Sequence, residues 1–343
     1  MTRCLISFSG GETSAYMTQW LLKDKRYDEY LIVFANTGQE NDETLEFVHK
    51  CDEQIFAPLG HRVVWIESVM HPGEKKSPSA KVVTYETANR DGAVFEAAIQ
   101  KYGIPNSKFK DCTRNLKRNP IESYARSVGW VKGEYDLAIG IREDETDRIN
   151  RDYLAGEPCE AATRRLIYPL AKAHPMTKPK INAWWEGQKK SGVGFRLELK
   201  GYQGNCKWCW KKSFRKHFTL LDENPEFYDF PRRMEATYGL SVGECRALRK
   251  DHGFMGPEFR KVSPTSPLED DYRRMFFRGN KTVADLEAEL AARQAAGTFT
   301  RADDDAQVFD ETLDVGAGCE ESCEVFTADD KDKRPTDDEE EAS

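Results

Sequence analysis

Short apolar runs alternate along the chain with segments whose apolar residues recur at helical spacing. The runs that predict β-strands cover residues 5–9, 30–37, 62–67, 136–141 and 166–170. The second run, YLIVFANT, is almost entirely apolar or β-branched, as expected of a strand buried on both faces. The segments that predict helices cover residues 13–23, 42–54, 92–102 and 120–127. This alternation predicts an α/β fold with a doubly wound parallel sheet.

The rest of the chain is less regular. Residues 68–91 lack periodicity and carry Pro72, Gly73 and Pro78, which predicts a mobile loop. After Pro175 the pattern becomes helical and irregular, and residues 301–343 are acidic and polar, which predicts a largely disordered tail. We therefore predict an α/β domain over residues 1–175, a mainly helical cysteine-containing region over 176–300, and the tail over 301–343.

Composition narrows the functional classes. The chain has 343 residues, 39% of them hydrophobic, and no apolar run approaches the length of a membrane span. The early apolar stretch stops at two glycines and does not resemble a signal peptide. We expect a soluble cytoplasmic protein without a membrane partner. Its nine cysteines are then more consistent with buried, metal-bound or catalytic thiols than with disulfides.

The charge is unevenly distributed. Residues 301–343 carry 17 acids and 4 bases, whereas residues 1–300 carry 42 acids and 47 bases. The overall net charge of −8 therefore hides a mildly basic body. Such a body suits an anionic ligand such as a nucleotide.

The first predicted strand ends in a turn rich in glycine and hydroxyl residues. The turn contains Ser9, Gly10, Gly11, Thr13 and Ser14. Backbone amides at such a turn, together with the dipole of the following helix, form a cradle for phosphate or sulfate. The plainer interpretation is a tight turn with a helix cap at Thr13. The second strand favours the cradle, because it also ends in a polar turn, at Thr37 and Gly38, and open parallel sheets bind ligands at that edge.

Five motifs in order resemble the phosphoadenosine phosphosulfate (PAPS) reductase family of the PP-loop ATP pyrophosphatase, or adenine nucleotide alpha hydrolase-like, superfamily. They lie within about residues 1–220. They read SGGETSA, FANTGQENDETLEFV, CTRNLKRNPI, AIGIREDETDR and YQGNCKWCWKKSFRK. The last has a form common in phage-encoded members, which would act in the host cytoplasm. The resemblance implies a HUP-like PP-loop fold whose domain over residues 1–175 binds an adenine nucleotide, either PAPS or ATP with Mg²⁺.

The resemblance also implies roles for single residues. The five residues of the first turn would hold the phosphate or sulfate, and Thr37 and Gly38 would lie near the adenosine. Arg142 and Arg148 would reach the anion, since guanidinium groups bind its oxygens in pairs. The plainer interpretation of these arginines is surface charge paired with the acidic residues at 143–147.

Cysteine spacing points to a metal or cluster. Cys206 and Cys209 form a C-x-x-C in basic and aromatic surroundings, and the resemblance adds Cys112, with Asp111 where many members have a second cysteine. We predict an iron–sulfur cluster, most simply 4Fe-4S, with zinc as the alternative. In one arrangement the three thiolates leave one iron open. In the other, Cys319 and Cys323 join the C-x-x-C and Cys112 stands apart. The plainest interpretation is reduced cysteines with no metal.

Three functions remain open from sequence. The first is a PAPS-reductase-like enzyme that performs sulfur transfer or reduction with a thiol donor. Its candidate nucleophile is Cys323, although the Glu-Cys-Gly-x-His element of the reductases is missing. The second is an ATP-pyrophosphatase-type sulfurtransferase that receives sulfur from a donor protein and thiolates tRNA or DNA. The third is a non-catalytic binder of nucleotide or nucleic acid with a structural metal.

Overall fold

The computed structural model describes residues 1–106, 109–149, 156, 159–241, 243–244 and 273–302, with the backbone alone at 146–148 and 160. The described strands form a six-stranded sheet in the order β4-β3-β2-β1-β5-β6. They are β1 (Arg3–Ser7), β2 (Glu29–Asn36), β3 (Val63–Val69), β4 (Ser79–Val83), β5 (Asp136–Ala138) and β6 (Leu166–Ile167). Neighbouring strands are parallel except for the antiparallel β3–β4 pair.

Helices connect and follow these strands. The α-helices in the described ranges are α1 (Glu12–Asp24), α2 (Asp42–Cys51), α3 (Ala93–Tyr102), α4 (Asp111–Thr113), α5 (Asn119–Ser127), α6 (Glu160–Thr163), α7 (Pro169–Lys172), α8 (Lys178–Ser191), α9 (Phe214–Glu223), α10 (Asp229–Tyr238) and α11 (Val283–Ala295). Single π-helical turns, Asp52–Phe56 and Arg114–Arg118, follow α2 and α4. Within the described ranges, we find no helix with the length and apolar character that crossing a bilayer requires.

The α/β class and the mostly parallel sheet confirm the sequence prediction, and the strand order is consistent with a doubly wound fold. The prediction of a loop over residues 68–91 is wrong in part, because this stretch contains β4. The strand lies at the sheet edge, and Val83 is its buried residue while Val82 is 57% exposed. An edge strand with so little burial has no clear apolar alternation, and Pro78 before it is typical of an edge.

The sheet changes winding direction at β1. This strand pairs with β2 on one side and with β5 on the other, both in parallel register. In open α/β sheets, ligands bind beyond the carboxyl ends of the strands at such a switch point. The turn after β1 and the segment after β5 therefore face one crevice.

Packing is continuous across residue 175, where the sequence predicted a domain boundary. Trp185 of α8 is fully buried in the same apolar cluster as Met17 of α1 and Phe34 of β2. A second cluster joins α3 to Trp208, Trp210 and helices α9 to α11. The division into domains stays a prediction. The predicted tail beyond Ala302, with Cys319 and Cys323, lies outside the described residues.

Candidate functional site

The turn after β1 is closed by its own hydroxyls and by glycine. Ser9 Oγ donates to Ser14 Oγ at 2.9 Å, and Ser14 Oγ donates to the Gly11 carbonyl at 2.9 Å. Gly10 has φ +85°, and a Cβ there would lie 2.9 Å from Thr44 of α2. Every residue of the predicted cradle is buried. The turn thus lies tightly against α2, with its backbone fixed.

Helix α1 begins in this turn without a side-chain cap. Gly11 is the N-cap residue and, as a glycine, has no side chain that could accept a hydrogen bond from the first-turn amides. The first amides of a helix have no acceptor inside the helix and carry partial positive charge. Glu12, Thr13 and Ser14 are each at most 1% exposed. A buried, uncapped helix start of this kind suits the oxygens of an anion.

Arg142 reaches the cradle from the segment after β5. Its side chain is 2% exposed, and Nη1 donates to Thr13 Oγ1 at 3.2 Å. The guanidinium also pairs with Asp144 at 2.9 Å and Glu145 at 3.4 Å. Burial opposes ionisation of Asp144, but the Lys178 amide and Arg142 outweigh it and hold the pKa of that carboxyl below its usual range. The arginine therefore makes the predicted acidic pairs, but as a buried group at the crevice.

The turn after β2 is described in full, whereas the second predicted arginine is not. The Arg148 side chain lies outside the described residues. Thr37 Oγ1, at the end of β2, donates to Glu40 Oε1 at 3.1 Å. Gly38 has φ +77° and donates its amide to Asn36 Oδ1 at 3.1 Å. The turn after β2 is thus ordered by its own polar groups at the same sheet edge.

The C-x-x-C segment docks on this edge through backbone pairing. Glu40 and Cys206 face each other in an isolated antiparallel β-bridge, flanked by backbone hydrogen bonds of 2.7 and 3.0 Å. Asn205, directly before Cys206, donates its Nδ2 to the Ser9 carbonyl at 2.9 Å. The segment therefore contacts both the cradle and the turn after β2.

The three cysteines predicted from distant parts of the sequence line one cavity, which we call the thiol cavity. It holds about 400 Å³ of atom-free space, including the part open to solvent. Its lining consists of Cys112, Cys206, Cys209, Thr37, Gln39, Phe95, Thr113, Lys117, Trp208 and Trp210. Among the described residues, no three His, Cys, Asp or Glu side chains converge closely enough to form a ready single-ion site. Cys319 and Cys323, predicted as further ligands, fall in the part of the chain that is not described.

Sequence reasoning missed Glu40. Its side chain is fully buried, Lys117 Nζ lies 3.2 Å from Oε1, and Cys206 Sγ donates to Oε2 at 3.1 Å. A buried carboxylate needs such partners, because its desolvation is otherwise unfavourable. The only sequence signal was its place in the polar turn after β2, three residues beyond Thr37.

Asp111 takes a structural role. Its carboxylate pairs with Arg274 at 2.8 Å and with Arg114 at 3.3 Å, and all three side chains are at most 16% exposed. Asp111 thus anchors the segment around Arg274 beside α4.

The remaining cysteines that are described lie apart from the cavity. Cys4 and Cys51 are fully buried, and burial raises the pKa of both thiols. Protonated, inaccessible thiols of this kind pack as small apolar groups. Cys159 is half-buried, and Cys245 lies outside the described residues.

The sequence is similar to a protein of a bacterial virus. Across 331 residues, covering 94% of both chains, the sequence is 28% identical to an uncharacterized nin region protein, ORF290, of Escherichia phage lambda. No protein-family model matches the chain.

Proposed function

We propose that this protein is a PAPS-reductase-like enzyme that binds an adenine nucleotide in the cradle and performs sulfur transfer or reduction beside the thiol cavity. The observation that carries the proposal is the contact between the two sites. Asn205 precedes Cys206 and donates to the carbonyl of Ser9, the first residue of the cradle. The ordered resemblance to the PAPS reductase family, with its HUP-like PP-loop fold, supports the same assignment.

The cradle supplies what an anionic nucleotide end requires. The first amides of α1 and the hydroxyl of Thr13 are donors, and Arg142 adds a permanent charge 3.2 Å from Thr13 Oγ1. Thr37 and Gly38, at the neighbouring strand end, would contact the nucleoside. Burial of the cradle excludes water and strengthens each of these interactions.

The thiol cavity fits a cysteine-held group. Cys112, Cys206 and Cys209 would hold an iron–sulfur cluster, because all three thiols line the same cavity. When bound, such a cluster supplies iron and sulfide next to the nucleotide. Trp208 and Trp210, each 2% exposed, would shield it from water. Zinc remains the alternative occupant.

With PAPS as the nucleotide, the chemistry balances with two thiols. One thiolate attacks the sulfate sulfur and forms an S–S bond, while the bond from sulfur to the nucleotide phosphate oxygen breaks. A second thiolate then attacks the sulfur atom of the first thiol and displaces sulfite. The two thiol sulfurs are left joined in a disulfide. The two thiols lose two electrons and the sulfate sulfur gains them. The candidate first thiol is Cys323, and an external dithiol protein would be the reductant.

The second candidate, an ATP-dependent sulfurtransferase acting on tRNA or DNA, is favoured by the ligand count. Three described thiols line the cavity. Asp111, next to Cys112, is engaged in ion pairs with Arg114 and Arg274. Cys112, Cys206 and Cys209 would hold a four-iron cluster with three thiolates, and such a cluster would supply sulfur for transfer. Similarity to a phage lambda protein supports action in a bacterial host cytoplasm for either candidate.

Product analysis distinguishes the candidates. Anaerobically purified protein is incubated with PAPS and a dithiol protein, or with ATP, Mg²⁺ and RNA or DNA. Sulfite from PAPS supports the reductase, and pyrophosphate from ATP supports the sulfurtransferase. If the protein binds nucleotide but forms neither sulfite nor pyrophosphate, both candidate activities are contradicted. That result would indicate a non-catalytic binder.

Gly11→Val tests the cradle itself. Gly11 has φ −95°, which any residue adopts, so the change places a side chain at the helix start without backbone strain. We expect equilibrium dialysis to show loss of ATP and PAPS binding. Gly187→Val, at an exposed helical position with open space around it, is the matched control. Unchanged affinity in the folded Gly11 variant would contradict the cradle.

Cys206→Ser tests the cavity. We expect the variant to lose the visible absorbance and iron content of the anaerobically purified protein. Cys159→Ser is the control, since Cys159 is half-buried and does not line the cavity. If the Cys206 variant keeps its full metal content and spectrum, this residue is not a ligand.

A further inference from the structure

We propose that the outer surface of α1 and α8 binds a single-stranded nucleic acid. The centre of this surface is a group of four half-buried aromatic side chains, which we call the aromatic face: Tyr16, Trp20, His174 and Trp184. The inference goes beyond the proposed function, because it concerns a surface outside both the cradle and the thiol cavity. The partner is defined by two properties of a strand, its unpaired bases and its row of phosphates.

The rings of the aromatic face hold one another in a fixed arrangement. Trp20 and His174 are nearly parallel, with ring centroids 5.1 Å apart and planes that differ by 8°. Tyr16 is parallel to His174 within 15°, and its Oη is hydrogen-bonded to Nε2 at 2.8 Å. Trp184 stands across Tyr16 at 80°, with centroids 5.1 Å apart. Because the rings are already ordered, stacking of a base on them costs little side-chain entropy.

The fully buried neighbour Trp185 provides much of the packing between α1 and α8. Its side chain lies in the core cluster, and Nε1 donates to the Glu12 carbonyl at 3.0 Å. Trp184, by contrast, packs at the margin of this cluster and stays half-buried. Partly exposed aromatic rings on a basic surface are typical of proteins that bind single strands, since every base has a face on which a ring can stack.

The positive charge of the body is concentrated around the aromatic face. Residues 16–26 and 171–190, which form it, carry eight bases and two acids, whereas residues 1–300 carry 47 bases and 42 acids. The rest of residues 1–300 therefore carries 39 bases and 40 acids. This distribution favours a polyanion as the partner of this surface.

Individual bases lie beside the rings. The exposed Lys180 precedes Trp184 by one helical turn, so the two side chains are neighbours on α8. Arg26 lies over the ring of Trp20, with Cζ 5.0 Å from the centroid. Some bases of this surface form exposed ion pairs, such as Arg26 with Asp24, and phosphates can compete with pairs of this kind because they are weak.

The aromatic face continues into the cradle. Thr13, Tyr16 and Trp20 are spaced three and four residues apart, so they lie along one side of α1. The Met176 carbonyl accepts the Glu143 amide at 3.0 Å, which joins the loop before α8 to the segment after β5. A strand on the aromatic face would therefore reach the edge of the cradle.

Fluorescence anisotropy of labelled oligonucleotides with the purified full-length protein tests the proposal. The probes are a single-stranded DNA, a single-stranded RNA and a DNA duplex of the same mixed sequence. We expect both single strands to bind more tightly than the duplex, because the base faces of a duplex are covered by neighbouring base pairs. Affinity should fall as salt rises, since phosphate contacts release counterions.

Two variants separate stacking from charge. Trp184→Leu keeps an apolar side chain but removes the ring, and it should weaken binding of the single strands by about tenfold without changing the salt dependence. Lys180→Gln should weaken binding by about threefold and reduce the slope of log affinity against log salt by about 0.7, the contribution of one phosphate contact. Trp184→Phe keeps a ring and should retain most of the affinity.

Lys75→Gln is the matched control. Lys75 is an exposed lysine on the segment before the edge strand β4, outside the aromatic face. Its variant should bind the strands like the parent. Circular dichroism checks that each variant is folded, and Lys180→Gln, at an exposed position, gives a decisive result even if Trp184→Leu does not fold.

Three outcomes would overturn the proposal. They are a parent protein that binds neither single strand, a folded Trp184→Leu variant that matches the parent in affinity, and equal losses in Lys180→Gln and Lys75→Gln. The last would mean that strands are attracted to surface charge in general. The measurement contains neither ATP nor PAPS, so the proposed function can fail while this proposal stands, and the reverse.

Discussion

Two glycines show how the surroundings decide what a residue does. Gly10 and Gly60 both have φ +85°. A Cβ at Gly10 would lie 2.9 Å from Thr44, 3.0 Å from Val48 and 3.1 Å from Phe34, whereas a Cβ at Gly60 would meet nothing within 4 Å. Gly10 is therefore required by packing as well as by backbone conformation. The sequence suggested only its role in binding an anion.

Substitution of both glycines separates these two effects. We expect Gly60→Ala to lower the free energy of unfolding by about 1 kcal/mol, the strain of a left-handed alanine. Gly10→Ala should lower it by about 2–4 kcal/mol, because overpacking adds to the strain. Urea unfolding measures both. Equal losses in the two variants would contradict the packing argument.

At the scale of elements, α10 supports the start of α11. Glu235 Oε2 accepts the Val283 amide at 2.9 Å, and Thr282 and Asp285 form a capping box. Burial raises the pKa of Glu235 to about 7, nearby Asp285 adds to the increase, and the Val283 amide and Arg232 oppose it. The contribution of this cap to stability therefore depends on whether the Glu235 carboxyl is protonated.

The stability of the protein should depend on pH through Glu235. The folded state binds this proton more tightly than the unfolded chain, whose glutamate pKa is about 4.3. The free energy of unfolding contributed by this group is therefore highest below about pH 4.3 and falls, by up to about 3 kcal/mol, as the pH rises to about 7. Glu235→Gln should remove this part of the pH dependence of the free energy of unfolding. Urea unfolding at several pH values from 4.5 to 7.5 measures it. Glu74→Gln, in an exposed turn, is the control, and an identical slope in both variants would reject the assignment.

At the scale of the whole molecule, an ion pair with a buried carboxylate joins α1 to the chain after α8. Arg196 donates Nε and Nη2 to the two Glu12 oxygens at 3.0 Å each, and the Leu197 amide donates to Oε1 at 3.2 Å. Glu12 is 1% exposed. The pair fixes the helix start that forms the cradle against a segment more than 180 residues away.

Removal of one partner should be strongly destabilising. We expect Arg196→Met to lower the free energy of unfolding by about 3 kcal/mol, since the buried Glu12 carboxylate loses its guanidinium partner. The double change with Glu12→Gln should recover much of the loss. Lys189→Met, which removes an exposed pair with Glu198, should change stability by less than about 1 kcal/mol. Thermal and urea unfolding compare the three, and equal effects of Arg196→Met and Lys189→Met would contradict a buried role.

Local signals determined much of the fold. The runs that became β1, β2, β3, β5 and β6 were visible because central strands bury a near-continuous apolar sequence, and α1 and α2 followed from their spacing. β4 was missed because an edge strand needs little burial. The cradle residues and three cysteines were proposed from motifs and a resemblance, which say which residue types belong together but not how far apart they lie.

The sequence by itself determined the α/β alternation, the glycine turn after β1 and the C-x-x-C, because each is encoded within a few neighbouring residues. The tertiary structure alone decided that Cys112 meets Cys206 and Cys209 at one cavity, and that Glu40 faces Cys206. It also decided that Arg142 is buried against Thr13 while Asp111 is held in ion pairs. These outcomes depend on which strands become neighbours and on which charges lose contact with water, and both are set only when distant segments pack together.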